Sequence, residues 1–558
     1  MDVDETLRAL HPWGRYQIVL LIVNCVFGTM TPALHIFSLI YIMDTPIHHC
    51  NPYEGYSTSQ AIPVSKVHSK EIVEYESCLI YQMDNGGTLT NQTISCPDGN
   101  EYILSEGEST VVNELGLVCD KKLMANTAMS VYFCGVLVGA IVSGITSDYF
   151  GRRNVFLTAT ILIGITGIGL IFTTSYYTFV FVWFITAIEE QCVNVPSYVL
   201  LMEMFPPEKR TLAGCISNLA WGIGIALLSV YAYFLRDWRH MQIAISAPCF
   251  AAVFFWWFVY ESPRWMISKG RFTEANIIFQ KIAKFNKLEQ RKTYINNKHN
   301  GEAVREMEDL NGKHEKTKTQ MTSLNKLMHC FTRKENRPIE TKRKNTFLDI
   351  LKSPRMRRST LIAYYIFLVN SLFFVGISLN SSDLFGDKYL NTFLVCLVDV
   401  PSGIVSIYLL QRINRRPLLM IFLLLAAVFS ISSAFVPLVT KSGTNLYPLI
   451  LTLACLGKYA IGTSFNCFWL YANEIFPTEL RNRAFGTCSF AARIGSIIAP
   501  YILYLNNFYA GSALLLFGIF AAVGGILVYF LPETRNKPLP ENMEEGEDLH
   551  AGRKIIRP

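Results

Sequence analysis

The chain has 558 residues, 51% of them hydrophobic, 13% aromatic and only 17% charged, with a formal net charge of +7. Soluble proteins carry about 25% charged residues, and the mean hydropathy here is +0.28. Together these values exclude an ordinary soluble globular protein.

The apolar residues gather in runs of about 18 to 25, the length an α-helix needs to cross about 30 Å of hydrocarbon. They predict an all-α membrane protein with about twelve spans, near 16–41, 126–146, 154–173, 177–202, 212–235, 240–260, 359–380, 389–411, 417–438, 446–470, 484–505 and 509–531. The start, "MDVDETLRAL", has no basic stretch ahead of its long apolar run, so the first span is read as uncleaved and not as a signal peptide.

Between the first two spans, segment 42–125 holds 4 Lys/Arg against 12 Asp/Glu. The segment 262–358 between the sixth and seventh spans holds 24 Lys/Arg against 10 acids, and the loops "DYFGRRN" and "QRINRRP" are basic too. Basic loops stay in the cytosol. This places 262–358 and both termini inside and segment 42–125 outside. The net charge then reflects topology and gives no reason to expect a nucleic-acid partner. The expected divisions are a first half 1–261, a cytosolic loop 262–358, a second half 359–531 and a tail 532–558. The basic loop can dock a short amphipathic helix on the inner leaflet or hold regulators.

Cys50, Cys78, Cys96 and Cys119 all fall in the outer loop, which suggests two disulfides with three pairings open. The same loop carries the glycosylation acceptor "NQT" at Asn91, whereas the sequon "NSS" at Asn380 abuts a span end.

An internal repeat follows. "EMFPPEKR" runs from Glu203 to Arg210 after the fourth span, and "EIFPTELR" from Glu474 to Arg481 after the tenth. "ESPR" at Glu261 follows the sixth span and "ETR" at Glu533 the twelfth. Arg152 and Arg153 after the second span are matched by Arg415 and Arg416 after the eighth. Two parallel six-helix halves explain the order, and such halves place a site at their interface near the bilayer midplane. The charged span ends suit a gate: Asp148, Arg152 and Arg153 with Glu203 and Arg210 in one half, Glu474 and Arg481 in the other. One surface pair is worth about 0–1 kcal/mol, but a network that forms in one orientation only shifts a two-state equilibrium.

At these residues a family is visible. "GITSDYFGRRN" resembles the loop 2–3 signature of the major facilitator superfamily. "NELGLVCDKK", "ESPRWMISKGR", "YANEIFPTELRN" and "LPETRNKPLPE" are similar to its organic cation, anion and zwitterion (carnitine) transporter family. The resemblance implies facilitated or exchange transport of small organic ions across the plasma membrane, with no cofactor.

Ionisable residues inside spans are costly and usually functional. Five lie near mid-span: Glu189 and Glu190 in the fourth, Asp399 in the eighth, Lys458 in the tenth and Arg493 in the eleventh. Arg493 sits about 15 Å along its helix from Arg483, and so near the midplane. It is expected either to lock helices by pairing with Glu190 or Asp399, or to anchor a substrate carboxylate through its planar fork. Glu189 and Glu190 point about 100° apart, so only Glu190 is assigned to the cavity. Phe373, Phe374, Trp221 and Trp469 are expected to wall it, because aromatic faces attract ammonium groups. His35 in the first span is a lesser proton-carrier candidate.

The resemblance sharpens the charge question. Cation-selective members are similar to "CDIGG", with an aspartate where this chain has Arg493. "FAARIGSIIAP" and "SFNCFWLY" instead resemble the anion and carnitine members. Anion members carry a lysine after "VDxP", where this chain has Gly403, and carnitine-type members a glutamine at Glu190. A site with Arg493 and Lys458 on one side and Glu190 and Asp399 on the other suits a zwitterion. The expected partners are such a small organic ion, the bilayer, and a coupling ion (sodium or proton) or counter-substrate. The alternative is an organic cation carrier of the same family, and a channel or receptor comes after it. Neither H-E-x-x-H, a serine nucleophile elbow nor a phosphate loop occurs, so an enzyme ranks last.

Overall fold

The computed structural model describes residues 3–67, 73–84, 88–287, 352–382, 384, 386–437, 445–477, 480–509, 511–535, 537, 540 and 543–550. Most of the expected basic loop (288–351), the end of the tail (551–558), and Thr478 and Glu479 of the second repeat motif lie outside the described residues.

Among the described residues, ten helices are long and apolar enough to cross a membrane. In span order they are the first (Arg15–Ile42), second (Lys122–Phe150), third (Arg152–Leu170), fourth (Tyr176–Met204), fifth (Pro207–Phe234), seventh (Pro354–Leu379), eighth (Lys388–Arg412), ninth (Arg415–Phe435), tenth (Tyr447–Ile475) and eleventh (Arg481–Tyr504). The twelfth, Ser512–Val528, is a shorter apolar helix of 17 residues. The sixth was expected as one helix over 240–260. Instead it is built of Trp238–Ser246, a 3₁₀ segment Ala247–Ala251 and Ala252–Phe255. Pro248 sits at the break, where it removes a backbone donor and disfavours a continuous α-helix.

The first span carries a second irregularity, a π-helical stretch Asn24–Met30. Pro32 follows it and cannot donate to the carbonyl four residues back, that of Gly28. That carbonyl accepts instead from the Ser197 hydroxyl of the fourth span at 3.3 Å. Gly28 leaves room for this approach, since a Cβ there would lie 2.5 Å from Ser197 Oγ.

Within each half, neighbouring spans pack along their lengths: second on fourth, third on fourth, seventh on eleventh, ninth on twelfth. The halves meet where the second span packs on the eleventh and the fifth on the eighth. Ser130 of the second span donates to the Ile497 carbonyl of the eleventh at 2.9 Å.

Segment 42–125 folds as three antiparallel two-stranded pairs: Ile47–Cys50 with Asn100–Ile103, Val64–Val67 with Val73–Tyr75, and Leu79–Met83 with Leu89–Ser95. The pairing that sequence left open resolves to Cys50–Cys96 and Cys78–Cys119. A small core of Cys50, Ala61, Ile62 and Ile80 lies against the first bridge. So small a core gains most from covalent closure. Asn91 is exposed on its strand, whereas Asn380 is buried and accepts from Asn506 at 3.1 Å.

After the sixth span the expected loop begins with two helices, Pro263–Ser268 and Phe272–Phe285. The second is amphipathic, as the loop reading allowed, but its apolar face packs on protein. Ile278, Phe279 and Ile282 join the cluster of Leu7, Leu10 and Tyr16. Asn286 closes the junction by accepting from the Tyr16 N–H at 2.9 Å.

Candidate functional site

The repeated motifs assemble the same device twice, at the face carrying the basic loops. In the first half Arg152 pairs with Asp148 at 2.8 Å and Glu203 at 3.5 Å. Glu261 accepts from the backbone N–H groups of Arg152 (3.0 Å) and Arg153 (3.2 Å). In the second half Arg415 pairs with Glu474 at 3.3 Å. Glu533 accepts from the N–H groups of Arg415 (3.0 Å) and Arg416 (3.1 Å). Glu261 and Glu533 therefore close the N-termini of the third and ninth spans, where a carboxylate meets unpaired N–H groups and the positive end of the helix dipole. Gly151 makes the turn between the second and third spans at φ 97°, a backbone conformation natural to glycine.

Two of the expected gate residues take other partners, and a third, Arg481, has none among the described residues for two of its nitrogens. Arg153 reaches the Trp256 carbonyl and lies over the Trp256 ring at 5.3 Å. Arg210 pairs with Asp4 of the N-terminal helix Val3–Ala9 at 2.7 Å and donates to the Met202 and Phe205 carbonyls. Arg264 binds the same Asp4. Sequence reading did not single out Asp4 or Arg264.

The central charges form two groups. Lys458 is fully buried and lies 3.6 Å from the Asp399 carboxylate. It also donates to the Phe374 carbonyl at 3.1 Å and sits 3.3 Å from the centroid of the Phe374 ring. Arg493 does not touch Asp399, and it meets Glu190 only through an intermediary. Its Nη2 donates to Gln191 Oε1 at 3.1 Å, and Gln191 Nε2 donates to Glu190 Oε1 at 3.0 Å. The second Glu190 oxygen and Arg493 Nε have no partner among the described residues. The expected division, cations on one side and acids on the other, is therefore corrected. Each acid is grouped with a cation, and the fourth and eleventh spans are joined through a neutral amide. Glu189 faces the third span and accepts from Thr166 at 2.5 Å.

A chain of rings starts at Lys458. Phe374 packs on Phe37 (6.3 Å) and Phe465 (6.0 Å), Phe37 on Trp221 (6.3 Å), and Phe465 on Trp469 (6.0 Å). Phe373 corrects the expectation that both phenylalanines wall the cavity. One residue before Phe374, it points to a different side of the helix; it is fully buried and stacks on Phe517 of the twelfth span at 5.7 Å. His35 is buried in the core of the first half.

At the opposite, disulfide-bearing face the halves are clasped. Lys388, the first residue of the eighth span, donates to Asp44 at 2.6 Å and also binds Glu108 of the disulfide-bonded segment. Tyr389 stacks on Tyr41 at 5.8 Å, and Lys122 donates to Asn507 at 2.6 Å. None of these residues stood out in the sequence, because a lone lysine at a helix start carries no pattern.

Two repeated six-helix halves around a charged, aromatic mid-membrane site define a secondary transporter. The Major Facilitator Superfamily profile matches residues 112–500, and the chain belongs to that superfamily. Its fold is similar to the inward-open xylose transporter XylE of E. coli, with TM-score 0.57 at 17% identity over 96% of this chain and 99% of that one. Within the superfamily it falls among the organic cation and carnitine transporters. It is 31% identical to the organic cation transporter-like protein of Drosophila melanogaster over 557 residues, 98% of this chain and 93% of the relative. It is 29% identical to the human organic cation/carnitine transporter 2 over 573 residues, covering 98% and 94%. It is thus a multi-pass transporter of small organic substrates and not an enzyme.

Proposed function

We propose that the chain carries small organic ions bearing a carboxylate, and preferentially zwitterions with an ammonium group, across the plasma membrane by alternating access. One observation carries this reading. Arg493 lies mid-span and partly exposed, and its described hydrogen bond goes to a neutral amide, not to an acid. A guanidinium in that setting is suited to bind a carboxylate. The rings of Phe465 and Trp469, next to the Phe374 ring that already holds Lys458, suit an ammonium group. The names of the relatives, which include both organic cations and carnitine, are compatible with this substrate class.

In this reading the disulfide-bearing segment faces outside, Asn91 carries a glycan, and both termini and the basic loop are cytosolic. The halves rock about the centre. The clasp at Lys388 closes the outer side, and the charged span ends at the basic face, Asp148, Arg152, Arg153, Glu203, Arg210, Glu474 and Arg481, brace the inner side. Sodium, a proton or a counter-substrate drives the cycle. A second reading, an organic cation carrier, is favoured by the unpartnered oxygen of Glu190.

Competition uptake of cations, anions and zwitterions, with and without sodium, separates the two. Arg493→Ala is expected to lower uptake of carboxylate-bearing substrates by about tenfold or more, at normal surface expression. Intact zwitterion and anion uptake in that variant would sink the carboxylate-anchor reading.

A further inference from the structure

We infer that Gln191 is a positioning residue that sets the substrate charge preference of the site without touching substrate. It holds Arg493 apart from Glu190 while tethering both. The inference rests on Arg493 being the carboxylate anchor.

Gln191 is 1% exposed on the fourth span, in the first half. Its amide oxygen takes the Arg493 N–H from the second half, and its amide nitrogen serves the Glu190 carboxylate. The two polar ends are thus committed to opposite charges, an orientation that only an amide supplies. An amide oxygen accepts and its NH₂ donates, so the side chain cannot bind the pair the other way round.

The insertion has an electrostatic consequence. A direct Arg–carboxylate contact in a buried site is a strong, commonly bidentate pair, and a substrate carboxylate would have to displace it. With the amide between them, Arg493 gives one N–H to a neutral partner and keeps its full charge. Its Nε has no partner among the described residues, nor has the second oxygen of Glu190. Two opposite charges, tethered and unneutralised, match the two ends of a zwitterion. The tether also limits the rotamers of a long side chain, so less freedom is lost on binding.

Two other buried polar contacts at the site stay within one half. Asn370 receives Ser464 at 2.9 Å, and Ser371 meets Ser496 at 2.7 Å, both within the second half. Gln191 differs in joining the halves at the depth of the substrate site.

The test is uptake kinetics in cells expressing the full chain, with surface biotinylation. The probes are carnitine, glycine betaine and γ-aminobutyrate as zwitterions, hippurate as an anion and tetraethylammonium as a cation. Gln191→Ala is expected to raise KM for the carboxylate-bearing probes by roughly tenfold, the scale of a lost hydrogen bond to a charged group. Maximal rate per surface copy and tetraethylammonium uptake should be little changed. Gln191→Glu, equal in size, is expected to lose those probes further, because it pairs Arg493 directly. In an Arg493→Ala background, Gln191→Ala should change nothing more, the non-additivity of residues acting as one unit.

Wild-type KM in both Gln191 variants, or equal losses for all probes, or the same loss in the Arg493→Ala background, overturns the inference. If Gln191→Ala fails to reach the surface, Gln191→Glu decides by the same criteria. Should Arg493→Ala lose the carboxylate probes while the Gln191 variants do not, the anchor stands and only the positioning role falls. If Arg493→Ala keeps them, or the wild type carries none of them, both fall.

Discussion

Lys388 and Asp44 meet at 2.6 Å across the boundary between the two halves, with the Lys388 side chain 22% exposed and that of Asp44 8%. Glu108 of the disulfide-bonded segment completes the contact, so that segment is joined to both halves. Breaking a buried pair by removing one partner costs about 3–5 kcal/mol, and less where a side chain retains solvent. Lys388→Met is therefore expected to loosen the seam at the disulfide-bearing face. Ala232, beside Tyr41 and Tyr389 beneath the clasp, reports on it. An Ala232→Cys reporter should react several-fold faster with an impermeant maleimide when Lys388→Met is added.

The clasp carries a signed pH dependence. Burial raises the Asp44 carboxyl above its ordinary range, although Lys388 pulls the other way. Burial also acts to raise Glu108, but its hydrogen bond and attraction to Lys388 outweigh this, and it ends below its ordinary range. Once the seam parts, both groups face water and return toward ordinary values. Mild acid therefore favours the closed seam, because the raised Asp44 takes a proton more readily when closed. Stronger acid opposes it: the Glu108 contribution is complete above the ordinary glutamate range and is lost as pH falls through the lowered value. Maleimide reactivity against external pH should dip and then rise. Asp44→Asn is expected to remove the dip, and Glu108→Gln the rise.

Lys458 and Asp399 give a double-mutant prediction. With 0% and 9% side-chain exposure at 3.6 Å, each compensates the other's buried charge. Asp399→Asn alone should lower the melting temperature in detergent more than the pair Asp399→Asn with Lys458→Met, because the single change strands a charge. A double variant less stable than both single ones would contradict this.

Two glycines of the eleventh span should respond with opposite signs. A Cβ at Gly495 would run into the Leu368 carbonyl of the seventh span and lie 3.0 Å from the Leu372 nitrogen, whereas at Gly486 nothing lies within 4 Å. Gly495→Ala is expected to destabilise by about 1–3 kcal/mol, as overpacking does. Gly486→Ala should stabilise by up to about 1 kcal/mol through helix propensity. Thermal unfolding of the purified variants reads both.

Adjacent phenylalanines separate binding from packing. Phe374→Leu is expected to raise KM for ammonium-bearing substrates several-fold, because its ring packs on Phe37 and Phe465 of the proposed site while holding the Lys458 ammonium. Phe373→Leu should leave KM alone and lower stability, since its ring lies against Phe517.

Span number and the duplicated motifs were readable because hydrophobic length and charged ends are local properties of the sequence. The mid-span charges were readable too, since each is an exception within an apolar run. Their partners were not. Gln191 looked like one more polar residue beside two glutamates, and only the packing of the fourth span on the eleventh gives it a role. Phe373 and Phe374 are indistinguishable until helix rotation assigns one to the site and the other to the twelfth span. The break at Pro248 was visible as a residue, but hydropathy averages over it. The strands of segment 42–125 are short and depend on the disulfides, so alternation had little length in which to appear.

The two charge relays, Arg152–Glu203 with Glu261 and Arg415–Glu474 with Glu533, each tie together helix ends of one half. Mechanically, each relay is a brace within a lever and not a latch between levers. Such braces keep the helix ends of a half at the basic face moving as one stiff body. A small displacement at the site near the fulcrum is then delivered as a large one at the rim. Softening either brace would cost the transporter stroke length before it cost affinity.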